Sequence, residues 1–129
     1  MENTGTETIL FVDDNEDIAM VAKLLLQRLG YNVVIQLSGV DALKSFKASP
    51  DKFDLVISDI GMPGMDGYNV ITEIRRIRRN IPVLLCSGSD EGIVDNSVKR
   101  SSADGFLLKP FTMQEISGMA RSVLDSTVH

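Results

Sequence analysis

The sequence predicts an α/β fold, a three-layer αβα sandwich around a five-stranded parallel sheet with five helices. Three observations carry this. Five short apolar runs rich in Val, Ile and Leu alternate with five segments of helical period. The runs are short and often near-continuous in apolar residues, as expected of strands buried on both faces. The connections are short, so each strand returns through a right-handed crossover to a parallel neighbour. The expected arrangement is the doubly wound, flavodoxin-like one with strand order 2-1-3-4-5.

The elements follow in order. Thr8 to Val12 is the first strand and ends at Asp13-Asp14. Ile18, Ala22, Leu25 and Leu29 then recur at spacings of four, three and four, one apolar face of a helix that Gly30 stops. Tyr31 to Leu37 is the second strand; Ser38 opens a short helix carrying Val40, Leu43 and Phe46, closed before Pro50. Leu55-Val56-Ile57 is the third strand and delivers Asp59 to a loop rich in Gly and Pro. Val70, Ile71, Ile74 and Ile77 form the stripe of the third helix, which ends near Asn80, ahead of Pro82. Ile81 to Cys86 is the fourth strand, leading into Ser87-Gly88-Ser89. Asp90 to Ser102 has only Ile93, Val94 and Val98 as an apolar stripe, so the fourth helix is the one expected to be held most loosely. Gly105 to Leu108 is the fifth strand. Thr112 and Glu115 have capping-box spacing for a last helix with Ile116, Met119, Ala120 and Val123 inward.

The 129 residues fit one domain, 1–129 with a core over about 7–126, and leave no room for a second. Hydrophobic residues at 43% and charged residues at 24% are those of a soluble globular chain. The net charge of −5 and the absence of a basic run beyond Arg75-Arg76 and Arg78-Arg79 argue against direct nucleic-acid binding; those arginines fall on a helix and read as a solvated face. The single cysteine, Cys86, lies inside an apolar run and reads as a core thiol in a reducing compartment. The stretch from Met1 to Thr8 is polar and acidic, and no apolar run reaches membrane-spanning length, so the expected location is cytoplasmic with no membrane partner. The six methionines and the terminal His129 suggest no ligand role.

Polar residues fall together when the strand ends are aligned. The first strand supplies Asp13 and Asp14, the third Asp59, the fourth Ser87 and the fifth Lys109. In open parallel sheets ligands sit outside the carboxyl ends of the strands. Three neighbouring carboxylates repel one another unless a counter-charge is present. Mg²⁺ answers that need, since it takes oxygen ligands and combines one or two carboxylates with phosphate oxygens. A lysine ammonium pairs with a carboxylate or a phosphate oxygen, and a serine hydroxyl donates to one. Each residue also has a duller reading. Asp59 or Asp13 could cap a helix, Asp14 could open the first one, Ser87 could be a turn residue, Lys109 could be a surface lysine, and Phe106 plain core. Only their convergence at one sheet end outweighs these.

The acidic pair Asp13-Asp14, the D-x-x-M-P-x-M-D-G loop from Asp59 to Gly67, Ser87-Gly88 and Lys109-Pro110-Phe111 together resemble a response-regulator receiver domain, over the whole chain apart from a few terminal residues. The resemblance implies that Asp59 is the phosphoacceptor, charged by the phosphohistidine of a histidine kinase or phosphotransfer protein, or by acetyl phosphate. It implies Mg²⁺ held by Asp13, Asp14 and Asp59 and by the backbone carbonyl of Gly61, with Asp14 direct and Asp13 largely through water. Ser87 and Lys109 would contact the phosphoryl group, Gly88 would leave room for it, and the Lys109-Pro110 bond would be cis. Ser87 and Phe106 would be the switch pair. The Asp90–Ser102 helix would move, and the face of fourth helix, fifth strand and fifth helix would bind a downstream protein or a second copy. Such a chain is no enzyme beyond its own phosphorylation and dephosphorylation. Departures from the commonest pattern are Phe106 in place of a tyrosine, Ser87 in place of a threonine, and small residues at Gly61 and Ser89.

Other classes fit less well. A pseudo-receiver scaffold would not need the complete acid, serine and lysine set. A Mg²⁺-dependent aspartyl-phosphate phosphatase of the haloacid-dehalogenase kind wants a second acid two residues after its nucleophile, where Gly61 stands. A flavodoxin-type redox carrier would meet FMN's phosphate with the repelling run Asp13-Asp14-Asn15-Glu16.

Overall fold

The computed structural model describes residues 4–88 and 103–126. Five strands, β1 (Thr8–Val12), β2 (Asn32–Gln36), β3 (Leu55–Asp59), β4 (Val83–Gly88) and β5 (Gly105–Lys109), form one parallel sheet in the order β2-β1-β3-β4-β5. The flanking helices are α1 (Glu16–Arg28), α2 (Gly39–Ala48), α3 (Gly67–Ile77) and α4 (Met113–Ser126), with a single 3₁₀ turn at Pro50–Lys52. These are four of the five expected helices; the remaining one, Asp90–Ser102, lies outside the described residues. The fold class and strand order are those expected from the sequence.

Alternation along each strand divides the interior into two cores. Ile9, Phe11, Leu55, Ile57, Leu84 and Cys86 face α1 and α4, meeting Ala19, Ala22, Leu26, Ile116 and Ala120. Leu10, Val12, Val56, Val83 and Leu85 face α2 and α3, meeting Ala42, Leu43, Phe46, Val70, Ile71 and Ile74. The three central strands are therefore apolar on both faces up to their polar ends, and each fully buried large side chain contributes about 1.5–3 kcal/mol.

The helices begin where capping chemistry allows. Asn15 Oδ1 accepts from Ile18 N, Ser38 Oγ from Asp41 N, and Asp66 Oδ1 from Asn69 N. Thr112 and Glu115 form the expected reciprocal capping box, at 2.9 and 3.1 Å. Gly30 ends α1 at φ 101°, and a side chain there would also strike the carbonyl of Gly5.

Several expected core positions are displaced. The buried stripe of α1 is Ala19, Ala22, Leu26 and Leu29, while Ile18 and Leu25 are only half-buried. Most of this helix is apolar, so two stripes fit the same period, and the small Ala19 and Ala22 let α1 lie close to the sheet. Val40 is 52% exposed; α2 turns Gly39, Ala42, Leu43 and Phe46 inward instead, with Gly39 against Met65 and Val70. Ile77, in the last turn of α3, is at the surface, and Met119 is half-buried. β4 begins after Pro82, which has no N–H to give the ladder, and runs on through Ser87 and Gly88, so these two are strand rather than turn residues. β2 is likewise shorter than expected at both ends.

At the end where the strands begin, aspartates and arginines tie the elements together. Asp54 N donates to Thr8 O and Thr8 N donates to Asp54 Oδ2, both at 2.8 Å. Asp104 and Val83 repeat the pattern at the same distances. Arg75 of α3 donates to Asp104 Oδ2 at 2.8 Å and to Ile81 O at 3.0 Å, and Arg78 donates to the carbonyls of Pro50 and Phe53. On α4, Arg121 donates to Glu7 and Asp125, each at 2.7 Å. That bond to Arg121 holds the Glu7 carboxyl below its ordinary range, and burial raises the Tyr31 phenol beside it.

Candidate functional site

The strands finish at a site whose groups come from four of them. Asp13 follows β1, Asp59 closes β3, Ser87 lies in β4 and Lys109 closes β5. Asp13, Asp59 and Ser87 are almost wholly buried, and Asp14 is exposed. Lys109 Nζ lies 3.1 Å from Asp13 Oδ2 and 3.0 Å from Asp59 Oδ1. Burial by itself would lower the ammonium's pKa, but the hydrogen bonds to Asp59 and Asp13 outweigh it and the value is raised. Lys109 is therefore a permanent positive charge at neutral pH.

The capping alternatives do not hold. Asn15 caps α1, and Asp13 Oδ1 instead accepts from Asn15 N at 2.9 Å. Asp66 caps α3, which leaves the Asp59 carboxylate in the cluster with Lys109. One oxygen from each of Asp13, Asp14 and Asp59 lies within 4.8 Å of the others. This donor set is all carboxylate, open to solvent on the Asp14 side, and balanced by one ammonium. Hard divalent cations with a preference for oxygen, Mg²⁺ above all, fit it in charge and ligand type.

The other expected residues sit around this cluster. Gly61 is exposed in the loop after β3, a stretch anchored by the buried Met62 and turned at Gly64 with φ 78°. The Ser87 hydroxyl donates to Gly88 O at 3.1 Å, and a Cβ at Gly88 would meet no atom of the described residues within 4 Å. Phe106, paired in register with Leu85, is half-buried and packs on the α2–α3 core. The Lys109–Pro110 bond is cis. Cys86, opposite Asp59 in the ladder, is a buried free thiol whose pKa burial pushes far up, as a core thiol requires. Ser89 lies outside the described residues.

One residue has a role that spacing does not reveal. A Cβ on Gly67 would sit 2.3 Å from the Asp59 carbonyl and 2.9 Å from Ile60 Cα. The start of α3 is thus pressed directly against the strand end that carries Asp59, which only glycine permits.

Comparison with known proteins bears on this arrangement. Residues 9–121 match the response regulator receiver domain family. The chain belongs to that family. It is 33% identical over 116 residues to the alkaline phosphatase synthesis transcriptional regulatory protein PhoP of Bacillus subtilis, covering 90% of this chain and 48% of that protein. It is 31% identical over 122 residues to the sensor kinase CckA of Brucella abortus, covering 95% of this chain and 13% of that one. This receiver domain thus spans about half or less of the curated relatives it matches. Among solved structures, a receiver domain protein from Clostridium thermocellum superposes with TM-score 0.84 at 30% identity, covering 92% of this chain and 94% of that one. The chemotaxis protein CheY4 of Vibrio cholerae gives TM-score 0.83 at 28% identity, covering 92% and 99%. No helix among the described residues is long and apolar enough to cross a membrane.

Proposed function

We propose that this receiver domain is a phosphorylation-driven switch in which Asp59 accepts a phosphoryl group from the phosphohistidine of a histidine kinase or phosphotransfer protein. The observation that carries this is the buried Asp59 carboxylate, held at 3.0 Å by Lys109 inside a cluster of acids. A carboxylate oxygen of Asp59 attacks phosphorus as the phosphorus–nitrogen bond of the donor breaks, and the imidazole leaves with the bonding pair. Such transfer needs positioning and charge neutralisation more than acid–base help. Asp13, Asp14, Asp59 and the Gly61 carbonyl would hold Mg²⁺, which supplies charge neutralisation at the phosphoryl oxygens when bound.

Lys109 keeps Asp59 oriented for attack and then pairs with a phosphoryl oxygen. The Ser87 hydroxyl exchanges its bond to the Gly88 carbonyl for one to another phosphoryl oxygen, and Gly88 leaves the space open. Phe106 turns inward as that loop moves, biasing an equilibrium between resting and active forms. The output face is the one formed by the 90–102 segment, β5 and α4, offered to a downstream protein or a second copy. In this reading the chain is one cytoplasmic domain with no membrane or nucleic-acid partner. It has no catalytic activity beyond its own phosphorylation and dephosphorylation. The likeness to a solved receiver domain from the hybrid histidine kinase CckA supports a phosphohistidine as the source.

The test is intact mass after incubation with acetyl phosphate and Mg²⁺. A single phosphoryl adduct that requires Mg²⁺ and is lost in Asp59→Asn is expected. Beryllofluoride with Mg²⁺, observed at the Phe106 amide by NMR, covers the case of a receiver that refuses acetyl phosphate. Silence in both experiments favours a scaffold instead.

A further inference from the structure

We propose that the Arg75–Asp104 ion pair restrains the switch from the end of the sheet opposite the acceptor, an inference that rests on the switch reading above. α3 spans the distance between the two ends. Its first residue, Gly67, is pressed against the Asp59 carbonyl and donates its N–H to Ile60 O at 3.3 Å. Near its other end Arg75 donates to Asp104 Oδ2 at 2.8 Å, with Arg75 only 20% and Asp104 41% exposed. Asp104 is the residue before β5 and stands two residues before Phe106. Its backbone N–H and its carboxylate both bond Val83, so it is also the bracket that starts the β4–β5 ladder.

The consequence is mechanical. The acceptor strand end and the base of the strand carrying Phe106 are connected through one helix and one ion pair. That pair is made in the form in which the Ser87 hydroxyl still bonds Gly88 O, the resting arrangement. In the switch reading, an inward turn of Phe106 that draws the base of β5 away from α3 works against this pair. The pair therefore favours the resting form, and Arg75 acts as a positioning residue.

Asp104 Oδ2 serves two donors, and a substitution can separate them. Asp104→Asn keeps an oxygen for Val83 N while giving up the charge, and Arg75→Gln removes the charge from the other side. With the full chain and Mg²⁺, beryllofluoride is titrated while the Phe106 amide is followed by NMR; thermal midpoints are read without beryllofluoride. Each single variant is expected to half-saturate at about threefold lower beryllofluoride or less, because releasing a restraint raises the competent population. The double variant is expected to match Arg75→Gln, since both substitutions break the same ion pair and Arg75→Gln also gives up the bond to Ile81 O. Arg75→Lys, which keeps the charge, is expected to restore the wild-type half-saturation. A lowered thermal midpoint with unchanged half-saturation would make the pair a structural fixture only and overturn the proposal, as would weaker half-saturation. No response in the wild-type protein overturns the switch reading itself, and this proposal with it.

Discussion

Where the strands begin, Asp54 and Asp104 each accept a backbone N–H at 2.8 Å, and Asp104 also faces an arginine. Where the strands finish, Asp13, Asp14 and Asp59 crowd together with one lysine between the two buried ones. Among the described residues the same side chain is a fixture at one end, with a donor for its charge, and at the other one of three acids grouped around a single lysine. Carboxylates paired with fixed donors gain little from a ligand. Carboxylates grouped around a single cation gain from added positive charge, and that asymmetry marks the end suited to a divalent cation.

The sharpest way to break the comparison is to remove the lysine. Lys109→Met leaves two buried carboxylates without their cation and is expected to cost about 3–5 kcal/mol in Mg²⁺-free urea unfolding. A loss below about 1 kcal/mol would mean the acids are not held as charges. Next in size is Mg²⁺ itself, expected to stabilise the wild type by about 2.7 kcal/mol at a hundred times its dissociation constant. Asp14→Asn should lose that gain, yet be at least as stable as wild type without Mg²⁺, because it relieves like-charge repulsion. At the other end of the sheet, Asp54→Ala leaves the Thr8 N–H unpartnered and is expected to cost about 2 kcal/mol, with the phosphoryl adduct unchanged. If the adduct falls in parallel with stability, the Asp54 bracket also supports the acid cluster at the far end of β1 and β3.

The smallest effect concerns pH. Glu7's carboxyl titrates below its ordinary value of 4.5 because Arg121 bonds it. The bond therefore contributes stability above the unfolded carboxyl's titration and loses it as pH falls through the lower folded value. Arg121→Gln should flatten that part of the acid limb by less than about 1 kcal/mol, the pair being partly exposed. Thermal midpoints between pH 3 and pH 6 check this on the scale of an ordinary carboxyl's titration.

Much of this was legible in the residues. β1, β3 and β4 are buried on both faces and read as near-continuous apolar runs, and Asp13, Asp14, Asp59 and Ser87 stand at the end of such a run or just beyond it. α1 was harder. Its apolar residues surround most of the helix, so only packing selects Ala19 and Leu26 over Ile18 and Leu25. Val40 sits one position round from the inward face of α2, a difference short helices do not resolve by period. The brackets at Asp54 and Asp104 escaped because their partners lie 46 and 21 residues away, and an acid before a strand has no spacing signature. Gly67 was visible as part of a motif, but its reason is a contact with Asp59's own carbonyl.

The parallel order of the sheet also governs when this protein becomes competent during synthesis. Lys109 and Asp13 are separated by 96 residues, and β3 and β4 lie between their strands in the sheet. Non-local pairing of this kind forms late and slowly. A nascent chain still short of Lys109 carries Asp59 and the other acids but not the ammonium that lies between Asp13 and Asp59. On the proposed function, acceptance of a phosphoryl group is therefore a property of the finished fold, and charging of Asp59 would report that the fifth strand is in place.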